Sequence, residues 1–328
     1  MIRSNVGAVI RNAPMVPVLI VIVIIFTLTS RGFLSLFSVQ SILLDVSVLA
    51  VAALGGMLVF LVSGIDLSVG AVVAASSTTA ALVGQATQNP FISLASACVL
   101  GAFIGAVNGT LIGYGRFVPF IVTLAMMLVV TALAYLAASL YAGEGATAGA
   151  VPMLHSILAF GQGAIFGIPK AFPGVIILVA LVAVILALTK FGRQVRLVGQ
   201  NEEAARFNGL NVPKIKLLVY TLSGLLGGIA GCLLAMRLGA GTPSGGDALL
   251  LQVITAAIIG GTALEGGHGG AVRTFFGALV IVTVNQGLNT LGFQFWDQNV
   301  VIGFVILLGT QISRFLGRPR RRPKLKVS

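Results

Sequence analysis

The chain has 328 residues, of which 57% are hydrophobic and only 9% charged, and its mean hydropathy is +1.07. About a quarter of the residues in a soluble domain are charged, so this composition excludes an ordinary water-soluble fold. The net charge of +12 does not indicate nucleic-acid binding, because the basic residues lie in gaps between apolar runs and in the C-terminal tail.

The apolar runs predict an all-α polytopic membrane protein with about ten transmembrane helices, since about 20 apolar residues cross the hydrocarbon core. The eighth run is short, so we expect its helix to be tilted or broken. Residues 1–317 would form one transmembrane domain, followed by a basic tail at 318–328. The predicted spans are 14–30, 42–63, 68–86, 91–113, 118–141, 172–190, 214–236, 249–263, 271–291 and 298–315.

The basic residues predict the orientation of these spans. With the N-terminus in the cytoplasm and ten alternating spans, most of the 20 Lys and Arg residues face the cytoplasm, as the positive-inside rule requires. Only Arg31, Lys170 and Arg237 then lie outside, and both termini are cytoplasmic. The tail 318–328 either contacts anionic lipid headgroups or serves only as an orientation anchor.

A polar turn, SGIDLS at 63–68, joins the second and third spans. Asp66 is predicted to be the N-cap of the third span, with Ser68 as the competing cap. A second and compatible interpretation is a hinge near the cytoplasmic gate, formed by Gly64, Asp66 and Ser68.

The spans hold almost no ionisable residues at mid-depth, which argues against a proton-coupled carrier. Neutral polar side chains are better candidates for a translocation path, because amides and hydroxyls make replaceable hydrogen bonds to a polar solute. Hydrogen bonding between helices is the alternative role. The candidates are Asn108, Gln252, Thr255, Asn285, Gln286 and Asn289.

Glycines recur on one helical face of two spans and predict close packing of helices. They are Gly101, Gly105, Gly109 and Gly113 on the fourth span, and Gly224, Gly227, Gly228 and Gly231 on the seventh.

The longest polar interruption, residues 192–216, predicts a short cytoplasmic helix. Asn201 would be its N-cap, Glu202 and Glu203 would occupy the first turn and Arg206 the last turn, as the helix dipole favours. Gly209 would take the left-handed position after the helix, and Pro213 would begin the next helix.

Ala204 and Ala205 are expected to leave a smooth face on this helix. A short rigid helix of this kind can seat in a groove of another protein and move as a rigid body. An ordinary capped surface helix is the alternative interpretation.

Three segments resemble ribose-type sugar ABC transporter permeases: LVSGIDLSVGAVVA at 61–74, GQNEEAARFNGLNVPKIKLLVYTLSGLLGGIAG from 199, and AAIIGGTALEGGHGGAVRTFFGALV from 256. The resemblance covers nearly the whole chain, although Glu265 stands where a less charged residue is expected. It implies a monosaccharide importer of the bacterial inner membrane, in which this chain is the permease. By resemblance, the segment Asn201 to Gly209, including Asn208, contacts the ATPase.

The resemblance also implies partners: a separate ABC ATPase that binds ATP-Mg, a periplasmic sugar-binding protein and a second permease copy, identical or similar. The chain has no phosphate-binding G-x-x-x-x-G-K-[ST] motif, so the ATPase must be another chain. We expect no catalytic residue, no metal site and no cofactor of its own. A stand-alone carrier or channel, or an integral-membrane enzyme, are the alternatives, but no cluster of His, Asp, Glu or Cys supports an enzyme.

Overall fold

The computed structural model describes residues 15–142, 149–294, 296–298 and 300–304. Residues 296–298 and 300–304 are helical. The other elements are α1 (Met15–Thr29), α2 (Leu36–Leu61), α3 (Val69–Thr87), α4 (Pro90–Gly113), α5 (Pro119–Ala142), β1 (Val151–Pro152), α6 (His155–Gly161), β2 (Ala164–Ile165), β3 (Ile168–Pro169), α7 (Ala171–Leu188), α8 (Lys190–Gln200), α9 (Glu202–Phe207), α10 (Val212–Leu238), β4 (Ala240–Gly241), α11 (Leu249–Ile259) and α12 (Ala271–Thr290).

Seven of the described helices are long and apolar enough to cross a membrane: α2, α3, α4, α5, α7, α10 and α12. The helical membrane class is therefore confirmed, whereas the predicted number of about ten spans is not. The first and eighth predicted spans correspond to the shorter apolar helices α1 and α11. Most of the tenth, 298–315, and the whole tail 318–328 lie outside the described residues.

The long helix α10 packs against α4 through the two glycine faces that the sequence predicts. A Cβ added to Gly109 would lie 2.8 Å from the Cα of Leu217, and one added to Gly113 would lie 2.6 Å from the carbonyl oxygen of Pro213. On another side of α10, a Cβ added to Gly231 would lie 2.5 Å from the carbonyl oxygen of Val73 in α3. Glycine is thus required wherever these backbones nearly touch.

The bundle has two ends, which we name after the residues discussed below. The Asn201 end holds the loops 62–68 and 260–270 together with α8 and α9. The Asp45 end holds the segment 149–170, in which β1 pairs antiparallel with β4 and β2 pairs with β3. At this end, α6 packs on α10, and Gln162 Nε2 donates to the carbonyl oxygen of Met236 at 3.1 Å.

The outer helices expose apolar side chains, as a protein surrounded by lipid does. Leu128 and Leu133 of α5 and Leu181 of α7 are more than half exposed. In contrast, α2 is enclosed along its second half, where every residue from Val46 to Leu61 is buried. The core of the bundle therefore lies around α2 and α10, and the candidate sites lie at the ends of these two helices.

Candidate docking and translocation sites

The polar interruption contains two helices rather than the one that the sequence predicts. The first, α8, begins at Lys190, before the predicted segment, and the Thr189 hydroxyl oxygen caps it by accepting from Gly192 N at 3.2 Å. The second, α9, has the predicted N-cap, because Asn201 Oδ1 accepts from Ala204 N at 2.9 Å. Gly209 adopts the predicted left-handed backbone, with φ of +78°. We call residues 190–211 the connector.

Two ion pairs hold α9 against the base of α10. The Glu202 carboxylate binds Arg206 one turn later and Lys216 of α10 at 2.7 Å. Partial burial opposes ionisation, but the hydrogen bond and charge of Lys216, and then those of Arg206, lower the pKa of Glu202 below its ordinary value. Glu202 therefore fixes the connector in place, whereas Glu203 is exposed on its surface.

The exposed surface of α9 differs from the expected smooth alanine face. Ala204 is exposed but Ala205 is buried beneath the helix, because successive positions of a helix point 100° apart. Phe207 is 91% exposed, which the sequence analysis missed, although an aromatic residue in so polar a segment was the available signal. The connector also has a depression of about 450 Å³, lined by Leu197, Gln200, Asn201, Ala204, Ala205, Asn208 and Leu210.

The connector is hydrogen-bonded to the neighbouring loops at the Asn201 end. The Ser63 hydroxyl donates to the carbonyl oxygens of Gly199 at 2.9 Å and Glu265 at 2.8 Å. Arg196 also donates to the carbonyl oxygen of Gly269 at 3.1 Å. Gly266 has φ of +94°, and a Cβ there would lie 2.6 Å from the carbonyl oxygen of Gly199, so this loop needs glycine to approach the connector.

Behind Ser63, a buried polar cluster surrounds Asp66. Asp66 Oδ1 accepts from the Ser68 backbone N–H at 2.9 Å and from the Ser68 hydroxyl at 2.6 Å, and Oδ2 accepts from Ser223 at 3.4 Å. Asn108 joins the cluster by donating to the Ser68 hydroxyl oxygen at 3.0 Å. Burial raises the pKa of the Asp66 carboxyl, which the hydrogen bonds from Ser68 and Ser223 oppose.

The N-cap prediction for Asp66 is wrong. Helix α3 begins at Val69, so Ser68 occupies the N-cap position, but its side chain makes no capping bond because its hydroxyl donates to Asp66. The Asp66 carboxylate instead accepts the amide two residues later, as in an Asx turn. The Gly64 position is crowded, since a Cβ there would lie 2.6 Å from the Tyr220 hydroxyl.

A cavity of about 380 Å³ opens at the Asp45 end between α2, α10, α11 and α12. It brings together four of the six candidate path residues. Asn108 lies in the Asp66 cluster instead, and Thr255 is buried within α11, where its hydroxyl donates to the carbonyl oxygen of Leu251. The cavity is lined by Asp45, Val48, Leu49, Leu234, Leu249, Gln252, Val282, Asn285, Gln286, Asn289 and Gln298.

One residue of the cavity lining, Asp45, belongs to an ion pair. Asp45 accepts from Arg237 through both carboxylate oxygens, at 2.8 Å from Nε and 3.4 Å from Nη2. Because 192 positions separate Asp45 from Arg237, no local sequence pattern indicates that the two residues pair. Among the described residues, no three His, Cys, Asp or Glu side chains are grouped to hold a metal ion.

Comparison with known proteins identifies the family. The family model described as "Branched-chain amino acid transport system / permease component" matches residues 38–309. The chain is 37% identical to the ribose import permease RbsC of Escherichia coli strain K12 over 91% of this chain and 92% of that protein. It is 35% identical to the fructose import permease FrcC of Rhizobium meliloti over 91% and 84% of the two chains.

It is also 32% identical to the L-arabinose ABC transporter permease AraH of Azospirillum brasilense over 98% of this chain and 93% of that protein. No solved structure matches the chain. These relatives are transport subunits named for sugars, and the described helices are those of an integral membrane protein. The chain therefore belongs to the branched-chain amino acid transport system / permease component family, alongside permeases of sugar ABC importers.

Proposed function

We propose that this chain is the permease subunit of an ABC importer that moves ribose or a related monosaccharide across the bacterial inner membrane. The similarity to ribose, fructose and L-arabinose permeases over at least 91% of the chain carries this proposal. The sugar would arrive on a periplasmic binding protein, and two permease copies would form the working unit. The permease itself performs no chemistry on the sugar.

The connector is the proposed contact with a separate ATPase, which binds ATP-Mg. It would face the cytoplasm, together with both termini, because the basic residues concentrate on that side of the predicted topology. Its exposed surface offers Phe207 and a depression, and an aromatic side chain that becomes buried on binding is typical of an energetically important contact. The basic tail at 318–328 would lie against the lipid headgroups of the same face.

The hydrogen bonds of Ser63 support coupling between the connector and the bundle. Ser63 holds Gly199 at the end of α8, and the same turn carries Gly64, Asp66 and Ser68. A displacement of the connector by the ATPase would therefore reach the Asp66 cluster directly. We assign this cluster, with Asn108, to the gate at the cytoplasmic end of the path.

The cavity at the Asp45 end is the proposed periplasmic entrance. Gln252, Asn285, Gln286 and Asn289 offer amide donors and acceptors that suit sugar hydroxyls. The volume of about 380 Å³ lies in the range of small-molecule sites, about 300–1,000 Å³.

The test is uptake of labelled D-ribose, D-fructose, L-arabinose, D-allose and L-leucine by proteoliposomes that contain the permease, its ATPase and its binding protein. We expect ATP-dependent uptake of one or more of the sugars and no uptake of L-leucine. Import of L-leucine without any sugar would contradict the sugar assignment.

Proteoliposomes that contain the permease alone test the alternative that this chain is a stand-alone carrier or channel. Sugar uptake that persists in them without ATPase and ATP would identify a stand-alone carrier or channel and refute the importer.

A further inference from the structure

The cavity at the Asp45 end combines amides with aliphatic walls. Carboxamides come from Gln252, Asn285, Gln286, Asn289 and Gln298, and the walls between them are formed by valine and leucine side chains. Polyols present both kinds of surface, because their hydroxyls need hydrogen bonds while their C–H groups need apolar contact. The lining therefore matches a polyol ring better than a purely apolar or a highly charged solute.

One amide is prepared to accept a hydrogen bond. Asn285 lines the cavity, and its Oδ1 is enclosed without a hydrogen-bond partner among the described residues. A buried acceptor of this kind is costly to leave unpaired, so a rotation of the carboxamide that brings Oδ1 to a ligand hydroxyl in the cavity would be favourable. Its neighbour Gln286 is already fixed, because its Nε2 donates to the Ser38 hydroxyl oxygen at 3.1 Å.

The charge of Asp45 is balanced by a residue outside the cavity lining. Asp45 lies in the lining, whereas Arg237, which binds both of its carboxylate oxygens, does not. The carboxylate thus keeps lone pairs available towards the cavity, and the guanidinium cancels its charge and fixes its orientation.

We infer that this cavity is a binding site for neutral polyols, in which Asp45 and Asn285 accept ligand hydroxyls and the Asp45–Arg237 pair excludes charged solutes. This inference rests on the proposed function and adds the selectivity of the site. A sugar phosphate would place its anion against Asp45, with Arg237 already engaged. A zwitterionic amino acid would find no cation among the described lining residues to receive its carboxylate.

The test compares binding to wild-type and Asp45→Asn permease in lipid nanodiscs by saturation-transfer NMR. The probes are the sugar that the wild-type complex imports, the phosphate ester of that sugar, and L-leucine. Wild type is expected to bind the sugar alone. Asp45→Asn should weaken sugar binding about tenfold, because one charged acceptor is lost. The same variant should bind the phosphate ester, because the charge of Arg237 is no longer neutralised.

A second variant keeps the charges intact. Asn285→Leu keeps the branching of the side chain at Cγ and should also weaken sugar binding about tenfold, because the hydrogen-bonding carboxamide is lost. Gln162→Leu is the matched control, since Gln162 lies at the same end but binds the backbone of Met236 outside the cavity. This control should bind the sugar as wild type does.

Two results would overturn the inference. The inference is wrong if Asp45→Asn still binds the sugar as wild type does and still does not bind the phosphate ester, or if Asn285→Leu binds the sugar as tightly as wild type. In either case, ATP-driven sugar uptake by the wild-type complex would still support the proposed function. If the wild-type complex imports no sugar, the proposed function fails and this inference fails with it.

Discussion

Gly105→Ala tests the idea that direct backbone contact between α4 and α10 holds the bundle together. An added Cβ would meet the carbonyl oxygen of Tyr220 and would lie 3.1 Å from the Cα of Gly224. Both neighbours are backbone atoms of α10, so they cannot rotate away as a flexible side chain would. The two helices would have to separate by about 1 Å to reach ordinary van der Waals distance.

Overpacking of a close-packed interior costs about 1–3 kcal/mol, and a clash with backbone belongs at the upper end. Alanine regains about 1 kcal/mol over glycine through helix propensity. We therefore expect Gly105→Ala to lower the free energy of unfolding by about 2 kcal/mol. Gly174→Ala in α7 is the matched control, because no atom of another described element lies within 4 Å of its added Cβ. It should be neutral or slightly stabilising.

The assay uses the two native thiols, which lie on the two helices in question. Cys232 of α10 is 1% exposed and Cys98 of α4 is partly buried, so a thiol-reactive dye reports when the helices separate on heating in detergent. Gly105→Ala should react at a lower temperature than both wild type and Gly174→Ala. An unfolding temperature equal to or above that of wild type would refute the packing argument.

Three further variants address the candidate sites. Phe207→Ala should weaken ATPase binding about tenfold or more, measured by pull-down titration, whereas the exposed Phe166→Ala at the opposite end should not. Glu202→Gln should lower sugar uptake per ATP. Because the pKa of Glu202 is lowered, its stabilising ion pairs in wild type persist as pH falls below 4.5 and are lost only near the lowered pKa. In thermal melts near pH 4, wild type should therefore unfold at a higher temperature than Glu202→Gln. Asp66 has a raised pKa, so the stability of wild type should fall as pH rises from 3.8 towards the pKa of the folded state. Thermal melts of Asp66→Asn should not show this dependence of the unfolding temperature on pH, and an unchanged dependence would exclude Asp66 as its source.

The parts of the fold that the sequence predicts are those with local or periodic signals. Six predicted spans agree with long helices within two residues at each end, because a continuous apolar run is sufficient to define them. The caps of α9 were predictable for a similar reason, since Asn201 and Gly209 act within one helical turn. The glycine faces were also recognisable from their spacing, although the partner helix was not.

The parts that the sequence did not predict depend on contacts between distant residues. Helix α2 begins at Leu36, six positions before the predicted 42, because Ser35 caps its first turn by accepting from Ser38 N, and the hydroxyl of Ser38 is paired with Gln286 far along the chain. The capping role of Asp66 failed for the same reason, since Ser223 and Asn108 draw Asp66 and Ser68 into a tertiary network. No local pattern contains this information.

The same two helices link the sites at opposite ends of the bundle. Helix α2 carries Asp45 near its start, and the carbonyl oxygen of Leu61 at its end accepts from Gly267 N at 3.1 Å. Helix α10 begins beside the Glu202 ion pairs and carries Arg237 in its last turn. Because close-packed helices shift as rigid bodies rather than deform continuously, a tilt of α10 driven at Lys216 would also move Arg237 relative to Asp45. If the proposed function holds, movement of the connector by the ATPase would therefore also change the contact between Arg237 and Asp45 at the proposed sugar site.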